Sequence, residues 1–487
     1  MLYSFYAIPL LLGAAFIIPI VSFKGIRYVS WVAIAGTFLA LLLASLTIPG
    51  IMTDRILTFQ MEDWIAPFGI TVVVDSLSLL IIMIVTSIGF LAAMFSYRFI
   101  KDKRTKYYSL LCLFLAGMLG AVHTGDMFNL FVFFEIFSLS AYALTSYYRN
   151  ANAIEGSIKY LIQGSLATSL ILFGVAFLYG LTGTLNMADL ALKIPEISSF
   201  VLPLSLGLLL TGFGLKVAMF PFHAWKADAI SATPAPIGAL FATAATSVGI
   251  YTMLRMFLTV FSITSVMVYT LIALIGVVTM IVGAVMALQQ RDLLRLLAYS
   301  SISQAGFVLL AFGVGISNSL GYTAAVFHLF NIVVLEALLF FCAGVIIHHA
   351  GTSDMGKLGG FARFSPVLNY AFLIGILANA GVPLLNGFSS KWLIYIATLQ
   401  TNPIFMVLAV LASVLALFYG LKAYSVIFLK NTKIKAKGIS HYMLIPIVIL
   451  AGVCIFFGLL PWAGIRISNI VVESFTNVPY IMKVLLW

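Results

Sequence analysis

Apolar residues in this chain gather into long runs separated by short polar stretches. Runs of 17 or more residues occupy about 2–21, 29–49, 76–95, 107–125, 127–147, 158–180 and 201–220 in the first half. In the second half they occupy about 237–258, 266–288, 301–317, 322–347, 366–399, 403–429 and 442–462. A helix crosses the hydrocarbon core of a bilayer with about 20 apolar residues, so the pattern predicts fourteen spans. Two places are irregular: only Asp126 separates 107–125 from 127–147, and 366–399 is too long for one regular span. Residues 50–75 alternate enough to predict a short hairpin at the membrane surface, and 181–200 reads as an amphipathic surface segment. A packed cap on the outer side accounts for both.

Composition strengthens this reading. The 487 residues are 63% hydrophobic and 8% charged, against about 25% charged in an ordinary soluble domain. Fourteen helices of ~21 residues take up roughly 290 positions and leave room only for short loops. A soluble enzyme, a secreted disulfide scaffold and a disordered chain are thereby excluded. Cys112, Cys342 and Cys454 each lie within an apolar run, without metal-ligand spacing, and read as small buried side chains. The first apolar run precedes its first positive charges, Lys24 and Arg27. A cleaved leader has the reverse order, so a retained first helix is expected.

The net charge of +11 is explained by where the basic residues fall. With the connections numbered alternately, one set holds Lys24, Arg27, Arg98, Lys101, Lys103, Arg104, Lys106, Arg149, Lys159, Lys226, Arg291, Arg295, Lys357, Arg363, Lys430, Lys433, Lys435 and Lys437. Those are eighteen of the 26 Lys and Arg. The other set holds four, Arg55, Lys193, Arg466 and Lys483. Basic residues accumulate on the cytoplasmic side. A multi-pass protein of the plasma (inner) membrane with both termini outside is therefore expected, and no nucleic-acid partner is needed.

The remaining basic residues lie within spans. An ionised side chain in hydrocarbon costs at least ~2.5–3.5 kcal/mol, so each asks for a reason. Glu135 lies mid-run in MFNLFVFFEIFSLSAYAL, with Ser138 and Tyr142 near its helical face. Lys216 is equally deep in LLLTGFGLKVAMFPFHAW, where Gly212, Gly214 and Pro221 predict an irregular helix. The pair reads as a structural ion pair or as a proton-bearing pair. Burial disfavours the charged form of either group and pairing favours it, so a lysine that alternates between the two states can carry a proton. In the second half, His328, Asn331 and Glu336 share one span, and Lys391 follows Gly381, Pro383 and Gly387 in the overlong run. Glycines, a proline, a phenylalanine, then Lys and Trp recur in GFGLKVAMFPFHAWK and GVPLLNGFSSKW, which fits an inverted repeat.

Secondary candidates carry less weight. Arg255 reads as a snorkelling residue near an outer helix end. Lys422, about 12 Å along a helix from Lys430, either snorkels or lines an inner access path. His223, beside Lys226 and Asp228, is either a mouth residue for proton uptake at the cytoplasmic side or a loop-ordering one. His348 and His349 fit the end of a helix, where the dipole favours them.

FFEIFSLSAYAL, GLKVAMFPFHAWKADAISATPAPIGALF, RDLLRLLAYSSISQAGF and VPLLNGFSSKW resemble the antiporter-like membrane subunits shared by Mrp cation/proton antiporters, respiratory complex I and the related membrane-bound hydrogenases and sulfane sulfur reductases. Length and termini look most like the D-type Mrp subunit. The resemblance implies an all-α polytopic membrane protein of about fourteen helices. It also implies two inverted five-helix repeats, spans 4–8 and 9–13, with spans 7 and 12 broken. The corresponding division is 1–106 for the first three helices, 107–258 and 259–430 for the repeats, and 431–487 for the last helix and tail. By the same resemblance, Glu135, Lys216, His328 and Lys391 match proton-translocating positions. Two departures stand out. Ser247 occupies the place of a span-8 lysine, and Ile332 and Glu336 occupy places where a second His and a Lys are usual.

The leading expectation is a proton-translocating subunit of a Mrp-type antiporter or redox-driven ion-pumping complex. Protons would pass along Glu135, Lys216, His328, Glu336, Lys391 and water, with His223, Ser247 and Lys422 as secondary sites. The alternative is an assembly subunit of such a complex that has lost through-conduction. A cofactor-bearing membrane enzyme is the third reading; haem needs paired axial ligands, and only His123 and His328 lie near or within spans. No phosphate loop, cysteine cluster or dinucleotide motif occurs, so no cofactor, metal or catalytic site of its own is expected. Redox chemistry would belong to partners: other membrane subunits and a peripheral iron–sulfur module. The charge split yields a direct check. A cysteine placed in the 101–106 loop should resist an impermeant thiol reagent added outside intact cells, and its labelling there would reverse the orientation.

Overall fold

The computed structural model describes residues 2–64, 68–430 and 438–476. Lys433, Lys435, Lys437 and Lys483 of the charge count lie outside the described residues, as does part of the 431–487 segment. Among the described residues, twelve helices are long and apolar enough to cross a membrane. They are spans 1 (Tyr3–Ser22), 2 (Ile26–Asp54), 3 (Ser76–Phe99), 4 (Arg104–His123), 5 (Met127–Thr145), 6 (Ala151–Thr182), 8 (Ala235–Val260), 9 (Val266–Gln289), 10 (Leu293–Val314), 11 (Leu320–Ala350), 13 (Pro403–Leu429) and 14 (His441–Leu459). The two remaining apolar runs are each split into shorter helices. Span 7 consists of 7a (Val201–Val217) and 7b (Ala224–Ala232), and span 12 of 12a (Pro366–Ala380) and 12b (Asn386–Thr401). All fourteen expected runs are thus helical; spans 4 and 5 are separate unbroken helices on either side of Asp126, and the two spans implied to be broken, 7 and 12, are the two that break.

Both breaks have local causes. Span 7a ends with Ala218 in the left-handed region at φ 62°, and Pro221, which lacks an N–H, prevents an immediate restart. The loose turn is tied to span 9, where Phe220 N donates to Thr279 Oγ1 at 3.0 Å. Span 12a ends at Gly381, at φ 84°, a conformation glycine adopts without a Cβ penalty. The two halves of span 12 then meet backbone to backbone, since a Cβ on Gly387 would lie 1.9 Å from Ala378 O.

Spans 4–8 and 9–13 follow one order: three unbroken helices, a broken one, then an unbroken one. A shared detail of the connections reinforces the correspondence. Between spans 4 and 5, Asp126 caps span 5 through Asn129 N and bridges to Asn186. Met127 N donates to Leu185 O and Met187 N to Gly125 O. Between spans 9 and 10, Asp292 caps span 10 through Arg295 N and bridges to Asp354. There Leu293 N donates to Ser353 O and Met355 N to Arg291 O. The same clasp therefore ties the start of the second helix to the end of the third in each unit. Five crossings carry the chain to the opposite side, so the second unit is inverted.

The connections sort into two ends. Those of the lysine-rich set touch one another: Tyr147 Oη donates to Asp102 O, Asp228 receives both Lys159 and Arg295 at 2.9 Å, and Lys430 reaches Gly356 O. At the other end strands β1 (Ile56–Gln60) and β2 (Thr71–Asp75) form the expected hairpin, and Val72 bridges to Thr124. The segment 181–200 contains the helix Met187–Lys193. Beyond span 14 the structure adds a helix the run pattern did not single out, Pro461–Thr476. It lies against span 11, with Thr323 donating to Asn469 Oδ1. Span 10 is buried on every side and spans 8 and 11 nearly so, which makes these three the axis of the molecule. Cys112, Cys342 and Cys454 are buried and free.

Arg255 does not snorkel. It is 4% exposed and pairs with Asp75, itself 1% exposed, at 2.7 Å. Ser78 and Tyr251 complete its surroundings, and Asp75 also caps span 3 through Ser78 N. One ion pair therefore locks the hairpin and span 3 to the end of span 8. Removing one partner of a buried pair strands the other, at a cost of about 3–5 kcal/mol. Asp75→Asn should lower the unfolding temperature of the protein in mild detergent markedly. The double variant Asp75→Asn/Arg255→Met should recover part of the loss, and an unchanged Asp75→Asn midpoint would show the pair carries no such weight.

Candidate functional site

Three clusters of titratable side chains follow one another through the core. In the first unit Lys216 stands one residue before the end of span 7a. Its Nζ donates to Ser138 Oγ at 2.7 Å and lies 5.7 Å from the ring centres of both Phe134 and Phe137. Glu135 is one turn before Ser138 on span 5 and acts on Lys216 electrostatically. The expected pair is thus brought to neighbouring positions without a direct ion pair: no Glu135–Lys216 contact forms within 4.0 Å, and Ser138 is the group that the ammonium touches. Glu135 Oε1 has no hydrogen-bond partner among the described residues.

The second cluster corrects the sequence reading of Lys226. Counted there among cytoplasmic connection residues, Lys226 is 2% exposed in span 7b, and its Nζ donates to Thr246 Oγ1 of span 8 at 2.7 Å. Two residues along the same half-helix, Asp228 faces away and takes Lys159 and Arg295 at the lysine-rich end. Ser247, at the position without the expected lysine, is fully buried, and its hydroxyl donates back to Thr243 O at 2.9 Å. Glu336 is 2% exposed on span 11. Neither of its carboxylate oxygens has a hydrogen bond of regular geometry among the described residues. Lys226 acts on it electrostatically, and Ser301 and Tyr419 are also near it.

The third cluster surrounds Lys391, the fifth residue after the start of span 12b. Its Nζ donates to Asn379 O at 2.7 Å and to Ser413 Oγ at 3.2 Å, and lies 4.4 Å from the centre of the Phe307 ring. Asn379 Nδ2 donates in turn to Ser300 Oγ at 3.1 Å and Tyr419 Oη at 2.9 Å. Ser413 meets Tyr395 Oη at 2.6 Å. His328 Nδ1 shares a hydrogen bond of 2.9 Å with Ser390 Oγ of span 12b, while its Nε2 has no partner among the described residues. Asn379 therefore sits between Tyr419, which is near Glu336, and Lys391, holding the first by its side-chain amide and the second by its main-chain oxygen. Ile332, one turn before Glu336, is buried and apolar.

The secondary candidates separate. Lys422 donates to Leu288 O at 2.7 Å and Gln290 O at 3.1 Å, so it caps the end of span 9. His223 stands in the break of span 7, partly buried and stacked on Phe220 at 5.7 Å, with the nine residues of span 7b following it. A cavity of about 740 Å³ at the lysine-rich end is lined by Glu155, Lys159, Asp228, Asp292 and Arg295 among others. His348 and His349 occupy the last turn of span 11, as expected. His123 is held on both ring nitrogens, by Leu119 O at 2.7 Å and Ser4 Oγ at 3.0 Å.

Sequence reasoning missed Lys226, Asn379, Tyr419 and Ser413. One signal for Lys226 was available. Pro234 precedes span 8 as its N-cap, so the helical stretch before it ends at about residue 232 rather than at 220. Asn379, Tyr419 and Ser413 are unremarkable polar residues in apolar runs and announce themselves only through their contacts.

Residues 124–416 match the membrane-spanning region of the NADH:quinone oxidoreductase/Mrp antiporter family. The D-type component of the Na⁺/H⁺ antiporter of Alkalihalophilus pseudofirmus is 33% identical over 458 residues, 93% of this chain and 92% of that protein. The N-type component of the NADH-quinone oxidoreductase of Desulforudis audaxviator is 35% identical over 381 residues, 77% of this chain and 75% of that one. Among solved structures, a chain of the membrane-bound sulfane sulfur reductase, an archaeal respiratory membrane complex, superposes with a TM-score of 0.92 at 29% identity, covering 100% of this chain and 99% of its own. With its fourteen crossings, its two broken spans and this breadth of similarity, the chain belongs to the membrane-subunit family of NADH:quinone oxidoreductases and Mrp antiporters.

Proposed function

We propose that this chain is the proton-translocating subunit of a multisubunit membrane complex. Its lysine-rich end would face the cytoplasm, other membrane subunits would be its partners, and either a redox module or an opposing cation gradient would drive it. The relatives point to such an assembly: they are components of a Na⁺/H⁺ antiporter, a quinone oxidoreductase and a sulfane sulfur reductase. Protons would pass from the Glu135–Lys216 cluster through the centre, with Glu336 as a carrier, to Lys391 beside His328.

One observation carries the proposal. Lys216 and Lys391 stand next to the breaks of spans 7 and 12, and each ammonium is held only by neutral oxygens, with no carboxylate within 4.0 Å among the described residues. A buried charge without a counter-ion costs several kcal/mol, and packing gives nothing back for it. A group that binds and releases a proton in turn bears that cost for only part of its cycle. The neutral oxygens also suit the relay, because they can accept from the ammonium without fixing its charge.

The assembly-subunit reading draws on Ile332, which puts an apolar side chain in the axis, and on Ser247, whose proton is committed to Thr243 O. Its weakness is the centre itself. Thr246, adjacent in sequence to Ser247, is tied to Lys226, so a buried ammonium reaches this turn of span 8 from span 7b. With the purified complex in proteoliposomes, Glu135→Gln, Lys216→Ala and Lys391→Ala should each reduce proton transport at least tenfold at normal assembly. Native rates in all three variants would leave the assembly role standing.

A further inference from the structure

The central cluster contains a lysine that no expectation assigned. Lys226 is among the largest fully buried side chains of the protein. Its ammonium ends at Thr246 Oγ1, one residue from Ser247. The local helix geometry presents that acceptor. Residues Phe241–Ala245 form a π-helical turn, a form concentrated at functional sites, and Thr246 Oγ1 donates back to Phe241 O at 2.9 Å across it. Thr246 is thereby left with lone pairs toward span 7b.

A second, independent observation lies across the axis. Glu336 is enclosed on span 11 with both carboxylate oxygens unpartnered among the described residues. A buried carboxylate without hydrogen bonds is heavily penalised while ionised and far less so when it carries a proton. Lys226 is the cation that acts on it, yet no ion pair within 4.0 Å joins them. The two groups thus stand apart, one a donor held by a single neutral oxygen, the other an acceptor with the Ser301 hydroxyl near it but no regular hydrogen bond, on helices of different repeats.

We infer that Lys226 is the central proton carrier of this chain, supplying from span 7b the ammonium that Ser247 cannot supply from span 8, and exchanging its proton with Glu336 across the boundary between the repeats. This rests on the proton-translocating reading above and adds the residue that closes its central gap. The step is balanced. An N–H bond of the ammonium breaks and an O–H bond of the carboxyl forms, through a bridging water where the gap requires it. A charged amine and acid become a neutral pair with no change in total charge. Reprotonation from the Lys216 side and release toward Tyr419, Asn379 and Lys391 reset both groups.

Substitutions at this position separate a carrier from a structural cation. Arginine keeps the charge but does not give up its proton, whereas leucine removes both. In proteoliposomes holding the assembled complex, Lys226→Leu and Lys226→Arg should each transport protons at least tenfold more slowly than the native complex. Lys226→Leu/Ser247→Lys should recover at least a third of the native rate. Adding Glu336→Gln to Lys226→Leu should cost less than twofold more, because the two act as a unit. If Lys226→Leu prevents assembly, Lys226→Arg decides: normal assembly with lost transport supports the carrier, and native transport overturns it. Native transport in Lys226→Leu would overturn it equally. Should Lys216→Ala and Lys391→Ala abolish transport while the Lys226 variants remain native, this inference fails and the translocation reading survives. If all are native, both fail.

Discussion

The cost of holding an ionised side chain away from water governs the arrangement of this protein. The molecule meets that cost in two contrasting ways. At the hairpin end, Arg255 and Asp75 are in contact at 2.7 Å and surrounded by hydroxyls, so the charges cancel and three elements are fixed together. At the lysine-rich end, Asp228 collects two cations at an open recess. Between these ends, Lys216, Lys226, Lys391 and Glu336 are all without a counter-charge in contact among the described residues. The fold can pair buried charges where rigidity is wanted, so their separation along the axis is a property of the axis and not a limitation of the architecture.

The broken spans make that separation tolerable. A helix end frees carbonyls that an unbroken helix would use internally. In span 12 the freed Asn379 O holds the Lys391 ammonium, and the close crossing at Gly387 keeps the lysine within reach of it. Span 7 uses its break differently. Leu215 O takes the indole of Trp225 from the second half-helix, which sets the turn, and Lys216 reaches across to Ser138 on span 5. The break thus carries two lysines, one on each half, directed to different neighbours. In an unbroken helix, side chains ten residues apart point about 80° away from each other and stay on one straight axis; the interruption frees them from that relation.

Most of the architecture was legible because it depends on local quantities. Run length predicts the spans, and glycine–proline clusters predict the breaks. The lysine-rich connections predict which loops share an end. Glu135, Lys216, His328, Glu336 and Lys391 stood out because an ionisable residue in the middle of an apolar run is conspicuous on its own. What escaped depends on distance in sequence or on where a helix resumes. The partner of Arg255 is Asp75, far back in the chain, and nothing near position 255 announces it. Lys422 finds its acceptors on span 9, again far off in sequence, so its capping contacts were not legible. Lys226 was misplaced because span 7 was ended at its break, which turned a half-helix into a loop and a buried lysine into a surface charge.

The two halves of the axis are not equally continuous, and this bears on how a proton would cross it. From the centre toward Lys391 the groups lie close together: Tyr419, Ser300 and Asn379 form a closed triangle of side-chain hydrogen bonds, and the main-chain oxygen of Asn379 accepts from Lys391. On the first side, Lys216 is bonded to Ser138 and Lys226 to Thr246, and no side-chain hydrogen bond among the described residues links the two. A proton moving along the axis would therefore meet a built chain in the second unit and a gap needing water in the first. Water enters such a gap only where polar groups offer it two or more bonds. Glu135 acts electrostatically on Lys216 and Glu336 on Lys226, each with carboxylate oxygen that makes no regular hydrogen bond among the described residues. On the translocation reading, hydration between these two carboxylates is the variable element of the path, and the hydrogen-bonded triangle beyond them is its fixed one.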